Sequence, residues 1–237
     1  MCKIAIIIPC YNEELRIDIQ PVEFLIHNSD LQIYFVNDGS TDKTVAVLSK
    51  IIGQHPTRCT LIDYSQNSGK ANTVFKAINE INSLNTFEYI GYFDADFSTP
   101  ASEIIRLSEE VKHQKPSLLI GSRILLLNSG IKRKFYRHVI GRIIVTLINL
   151  KFKLGIYDTQ CGAKFFSSQL IPIGFDKPFN TSWLFDVELF IRLRKKGLLE
   201  HGREVPIFNW RDVEGSKLSW KSIFKIFKEL ITLFRKY

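Results

Sequence analysis

From Ile4 to Gly121 the chain alternates strand-type and helix-type stretches, and no other feature restricts its fold as much. In the strand-type stretch 3–8, Lys3 is followed by a continuous apolar, largely β-branched run. That is the pattern of a strand buried on both faces of a parallel sheet. Strand-type runs recur at 31–36, 59–64, 88–93 and 117–121. Helix-type stretches fill the gaps at 14–28, 42–52, 71–82 and 101–114. The alternation predicts an α/β fold: a mostly parallel, Rossmann-like sheet with helices on both faces. The loops that follow the first four strands then share one edge of the sheet, the edge where ligands bind in open α/β folds. Beyond Arg123 the alternation weakens. A helix is expected at 135–153 and another at 186–196, with a strand-like stretch at 204–210.

The strand at 88–93 ends in Asp94-Ala95-Asp96. Side chains alternate faces along an extended chain, so the two carboxylates point the same way if the chain stays extended, and converge on one point at the strand's end if it bends there. Like charges that close repel and call for a cation. Mg²⁺ or Mn²⁺ carrying phosphates meets that need, because hard cations prefer oxygen ligands and leave positions open for substrate. A solvated loop past a strand end is the bland alternative.

The chain has 237 residues, 45% hydrophobic and 24% charged, with a formal net charge of +8. This supports one large core and suits anionic partners: nucleic acid, a membrane surface or phosphorylated substrates. No nucleic-acid motif is present, so nucleic acid ranks last. Cys2, Cys10, Cys59 and Cys161 show neither CxxC nor zinc spacing. They read as reduced, structural thiols of a cytoplasmic protein. The apolar run after Lys3 stops at Pro9, too short for a signal-peptide core. The run 139–150 is broken by Gly141, Arg142 and Asn149, too short to span a bilayer.

Three further loops carry chemistry. Pro9 to Glu14 places Tyr11 to stack on a base and Glu13 to accept from ribose hydroxyls or base N–H groups. Asp38, in Asn37-Asp38-Gly39-Ser40-Thr41-Asp42, suits a base edge or ribose, though Asp before Gly is also common in plain turns. Asn67-Ser68-Gly69-Lys70 joins a close-approach Gly to a Lys at a helix start and suits a phosphate, without Walker A spacing.

These four loops, in this order and spacing, resemble a family-two nucleotide-sugar glycosyltransferase of GT-A fold. The resemblance implies that Asp38 binds base or ribose. It also implies that Asp94-Ala95-Asp96 is the DXD motif, whose metal bridges the donor diphosphate. The second half narrows the likeness: Gly121-Ser122-Arg123, Asp158-Thr159-Gln160-Cys161-Gly162, Lys164-Phe165-Phe166, Trp183 to Glu188, and Glu214-Gly215-Ser216-Lys217-Leu218. They are similar to polyprenyl-phosphate sugar synthases, above all the dolichyl-phosphate β-glucosyltransferases, whose donor is UDP-glucose. The related mannose synthases use GDP-mannose. Ala163 departs from the usual Phe, and Ser98-Thr99-Pro100 differs from both groups after the DXD motif.

An inverting, metal-dependent transfer of a hexose to a polyprenyl phosphate follows as the expected function. A lipid phosphate is already an anion and attacks C1 without a general base, but it must be held beside a diphosphate of like charge. The resemblance implies Arg123 and Arg137 for that task, and guanidinium forks match phosphate oxygens. Arg137 also reads as a solvated member of the basic run that begins at Lys132. Gln160 is expected to contact donor or metal, and Lys217 to close over the diphosphate. Asp186 and Glu188 would orient sugar hydroxyls, or simply favour a helix N-terminus.

The tail, 219–237, forms an amphipathic helix appended to a catalytic domain at 1–218. Trp220, Ile223, Phe224, Phe227, Leu230, Ile231 and Phe234 recur at helical spacing, flanked by lysines. The pattern suits a peripheral helix on the cytoplasmic face of a membrane, in a protein that is either peripheral or a piece of a longer chain. Packing on the core with a solvated basic face is the other reading. Two rival functions keep the fold: transfer to a saccharide hydroxyl in cell-surface polysaccharide assembly, with Asp186 or Glu188 as base, and a non-catalytic nucleotide-binding module.

Overall fold

The computed structural model describes residues 2–132, 135–211 and 220–237. Seven strands form the central sheet in the order β3-β2-β1-β4-β7-β5-β8. They are β1 (Ile4–Cys10), β2 (Gln32–Asp38), β3 (Cys59–Tyr64), β4 (Tyr89–Phe93), β5 (Leu118–Ser122), β7 (Ala163–Ser167) and β8 (Gly202–Pro206). A two-stranded ribbon pairs β6 (Gly130–Lys132) with β9 (Asn209–Arg211) in parallel. The helices are α1 (Ile19–Asn28), α2 (Thr44–Gln54), α3 (Lys70–Ser83), α4 (Ala101–Gln114), α5 (Phe135–Phe152), α6 (Ile171–Gly174), α7 (Phe185–Lys195) and α8 (Trp220–Lys236). The expected α/β class, mostly parallel sheet and C-terminal helix are all present.

Period-two alternation along the strands builds two cores, one per face. Ala5, Ile7, Ile90, Tyr92 and Leu118 pack under α3, α5, α7 and α8. Ile4, Ile6, Ile8, Phe93 and Leu119 pack under α1, α2 and α4. Each such side chain contributes roughly 1.5–3 kcal/mol when fully buried. This explains why β1 reads as an unbroken apolar run.

Two local expectations are corrected. Residues 14–18 are not helical; α1 begins at Ile19, where the Asp18 carboxylate accepts the Gln20 amide at 3.0 Å. The preceding segment is tied to the second loop instead. The amides of Asn12, Glu13 and Glu14 donate to Ser40 Oγ (3.0 Å), Thr44 Oγ1 (2.8 Å) and Asp42 Oδ2 (3.2 Å). Those contacts are thirty or so residues away in sequence, so local helix propensity could not reveal them. The second correction is β7, which the alternation did not predict. It inserts antiparallel between β4 and β5, with Tyr92 opposite Lys164 and Ile120 opposite the same residue.

Helix α8 has two apolar sides. Ile226, Leu230 and Leu233 are buried against α5 and α7, while Phe224 (68% exposed), Phe227 and Ile231 face outward. Nothing described bears on the Trp220 and Ile223 side chains. Among the described residues no helix is long and apolar enough to cross a membrane.

Candidate active site

A cavity of about 400 Å³ opens at the C-terminal edge of the sheet. Four parallel strands end there because the βα connections turn at that edge. Seven expected residues line it: Lys70, Asp94, Asp96, Arg123, Arg137, Gln160 and Asp186. Pro9 and Asp38 at the ends of β1 and β2, and Tyr11, Glu13, Gly69 and Ala95 in the strand-end loops, do not line this cavity. Lys217 lies outside the described residues.

Asp94 and Asp96 each face an organic cation. Lys70 Nζ donates to Asp94 Oδ1, and Arg16 Nη2 sits 3.4 Å from Asp96 Oδ2. Desolvation pulls the Lys70 ammonium down, but Asp94, Asp186 and Asp96 outweigh it, so its pKa is raised. Arg16 also pairs with Glu13 at 3.3 Å, linking the first loop to the carboxylate pair. Among the described residues no three acidic, His or Cys side chains gather into a complete metal site. Two hard carboxylates, already holding positive charge and part-exposed, fit a divalent ion that takes its remaining ligands from phosphate oxygens and water.

Gly162 makes room for Asp94. A methyl group there would sit 2.5 Å from Asp94 Cγ. Replacing Gly162 with alanine is therefore expected to swing the Asp94 carboxylate and lower turnover on the order of 100-fold, since misplacing a catalytic group by about 1 Å costs that much. Steady-state kinetics beside a thermal melt checks this; an unchanged rate would refute the fit.

Asp38 serves the third loop directly. Its Oδ1 accepts the Ser68 amide (2.8 Å) and its Oδ2 the Gly69 amide (2.8 Å). Gly69 adopts φ +81°, a conformation that glycine reaches without strain, and Lys70 then opens α3. Arg123 is similarly engaged. Its Nε and Nη2 donate to Asp158 at 2.7 and 2.8 Å, and its guanidinium lies 5.1 Å from the centre of the Trp210 ring. Burial disfavours the charge, but Asp158 outweighs it and holds Arg123 firmly protonated. Arg137 contacts Tyr136 through Nε at 3.3 Å. Gln160 lines the cavity, and its amide nitrogen is buried without a hydrogen-bond partner among the described residues.

Asp186 lines the cavity and Glu188 does not. Tyr92 Oη donates to Asp186 Oδ1, and Lys164, fully buried on β7, sits 3.3 Å from Asp186 Oδ2. Burial raises the Asp186 carboxyl, opposed by Lys164, Tyr92 and Lys70. Glu188 is held in a separate network behind the cavity. Sequence reasoning missed Arg142, which lines the cavity, donates to the Tyr157 carbonyl at 2.8 Å and stacks 3.9 Å from the Tyr157 ring centre. Its signal was available: a lone arginine interrupts the apolar run of α5 five residues after Arg137.

The family model for glycosyl transferase family 2 matches residues 5–172. The chain belongs to that family. It is an α/β glycosyltransferase of GT-A fold. The dolichyl-phosphate beta-glucosyltransferase of Saccharomyces cerevisiae is 31% identical, over 99% of this chain and 75% of the relative. The human protein of the same name is 27% identical, over 94% of this chain and 73% of the relative. Among solved structures, a glucosyl-3-phosphoglycerate synthase from Mycobacterium tuberculosis, in complex with Mn²⁺, UDP and glucosyl-3-phosphoglycerate, superposes with a TM-score of 0.67. It is 14% identical and matches 99% of this chain and 79% of its own, a likeness of fold.

Proposed function

We propose that this glycosyltransferase moves glucose from UDP-glucose to dolichyl or a related polyprenyl phosphate, with Mg²⁺ or Mn²⁺, at a membrane surface. The observation that carries the reading is one cavity lined both by a carboxylate pair and by Arg123, Arg137 and Arg142. That arrangement suits two phosphate groups of different origin. The names of the relatives that match almost the whole chain support glucose and the lipid carrier.

Asp94 and Asp96 would hold the divalent ion, which when bound neutralises charge developing on the diphosphate leaving group. Lys70 adds a cation beside Asp94 as the C1–O bond to UDP breaks. The arginines hold the lipid phosphate, whose oxygen forms the new bond to C1 from the opposite face, inverting an α-linked donor to a β-linked product. The acceptor is already ionised, so no proton needs removing. Asp186 then serves the sugar hydroxyls as an acceptor rather than the reaction as a base. Pro9, Tyr11, Glu13, Asp38, Gly69 and Ala95 frame the nucleotide end, and Gln160 contacts donor or metal.

A lipid surface is supported by apolar side chains left outward on two adjacent helices: Phe135, Ile143 and Leu150 on α5, and Phe224, Phe227 and Ile231 on α8. Lys225 and Lys228 flank the α8 face and favour anionic headgroups. The four cysteines are free, which supports the cytoplasmic side.

The test offers radiolabelled UDP-glucose or GDP-mannose with dolichyl phosphate, followed by organic extraction. Label from UDP-glucose is expected in the lipid phase and lost with EDTA. Label from GDP-mannose alone would reassign the sugar. Label only in polymer would move the acceptor to a saccharide.

A further inference from the structure

Helix α8 carries one acidic residue, Glu229, among lysines and apolar side chains. On a helix facing an anionic surface a carboxylate gains nothing by exposure. Its partners lie inward. Oε2 accepts the amides of Trp183 and Leu184, each at 2.9 Å, and Oε1 accepts the amide (3.2 Å) and hydroxyl (2.8 Å) of Ser182. These groups lie just ahead of α7, which has no side-chain cap of its own at Leu184. Amides at a helix start have no partner within the helix and favour an anion. Glu229 supplies that anion from 45 residues away in sequence.

The segment it grips is a wall of the cavity. Ser182, Trp183, Leu184, Phe185 and Asp186 all line it, and so does Ile226, one turn before Glu229 on α8. At the other end of α8, Tyr237 Oη donates to Glu188 at 2.9 Å in the first turn of α7. The outward face of the same helix presents Phe224, Phe227 and Ile231.

We propose that Glu229 is a positioning residue that ties the lipid-facing helix to the cavity wall at 182–186 and so sets the shape the acceptor meets. On this view α8 is a working part of the site rather than an appendage. The inference rests on the lipid-acceptor reading above, and its test includes a measurement that does not depend on that reading.

The experiment compares the full chain with Glu229→Gln, which keeps size and removes charge, and with Ser182→Ala, which removes one hydrogen bond only. Hydrogen exchange is followed at the amides of Ser182, Trp183 and Leu184 without substrate. UDP affinity is measured by calorimetry, and transfer from UDP-glucose to dolichyl phosphate in phosphatidylcholine–phosphatidylserine vesicles. Glu229→Gln is expected to speed exchange at those amides about tenfold or more while α4 stays protected. The KM for dolichyl phosphate rises about tenfold or more with UDP affinity unchanged, because hydrogen bonds to a charged group carry that much. Ser182→Ala shifts both in the same direction by less. Unchanged exchange and KM would overturn the proposal. So would exchange that rises throughout the chain together with loss of UDP binding, which would mark a general loss of stability. Should the parent chain transfer nothing from UDP-glucose, the proposed reaction fails and the exchange comparison still decides the role of Glu229.

Discussion

Replacing Asp96 with alanine is expected to lower glycosyl transfer by about a thousandfold while leaving the fold intact. Metal-assisted stabilisation of a leaving group supplies several kcal/mol, and each 1.36 kcal/mol is tenfold in rate. The cost to stability is small. Asp96 accepts the Ser98 amide at 3.0 Å and pairs with Arg16 at 3.4 Å, with both side chains partly exposed. Pairs of that kind contribute about 0–1 kcal/mol. Two measurements decide it. Mn²⁺ binding followed by electron paramagnetic resonance should weaken in the variant, and the thermal midpoint should stay close to that of the parent. Full activity in Asp96→Ala would remove the metal assignment, and tight Mn²⁺ binding in an inactive variant would move the ligand role elsewhere.

Replacing Glu188 with alanine is expected to do the opposite: destabilise the fold, with no direct effect on the chemistry. The Glu188 side chain is fully buried. It accepts the Asn180 amide (2.8 Å), the Thr181 amide and hydroxyl (both 3.1 Å), Arg192 Nη2 (3.0 Å) and Tyr237 Oη (2.9 Å), and the Asn180 side chain also donates to it. Removing one partner of a buried ion pair costs about 3–5 kcal/mol. For a chain of this length that lowers the melting midpoint on the order of 10 °C. Burial by itself would raise the Glu188 carboxyl, but hydrogen bonds from Asn180, Arg192 and Tyr237 outweigh it and hold it below the ordinary 4.5. A depressed carboxyl stabilises the fold above its unfolded value and loses that contribution as pH falls through the folded value. The stability gap between parent and Glu188→Gln should therefore be full at neutral pH and close below about pH 4.5. A gap that is constant with pH would contradict the network. Equal loss of activity at unchanged stability would restore Glu188 as a candidate base.

Much of the site was legible because its pieces follow strands. Asp94, Asp96, Lys70 and Arg123 meet in one cavity, as the loop order required once the strands were parallel, and Gln160 joins them from the segment ahead of β7. What stayed hidden was long-range. The stretch 163–167 carries Ala163-Lys164-Phe165-Phe166, with no polar alternation to mark a strand and a lysine that argues against burial. Only pairing between β4 and β5, with Lys164 set against Asp186, makes it a central strand. The first loop looked helical because Glu13 and Glu14 suit a helix start. Its amides instead bond to Ser40, Thr44 and Asp42.

The same division holds for roles. Residue types and spacing determined the α/β class, the shared sheet edge and the paired carboxylates, because periodicity and strand-end turns are local properties that each stretch carries in itself. Which carboxylate does what was decided by tertiary structure. Asp186 and Glu188 are two residues apart on α7, yet one lines the cavity and the other is enclosed by Asn180, Thr181, Arg192 and Tyr237. A helix turns successive side chains by about 100°, so neighbours in sequence face different surroundings. What they meet there depends on chain far away, as α8 shows by bringing Glu229 to the start of α7.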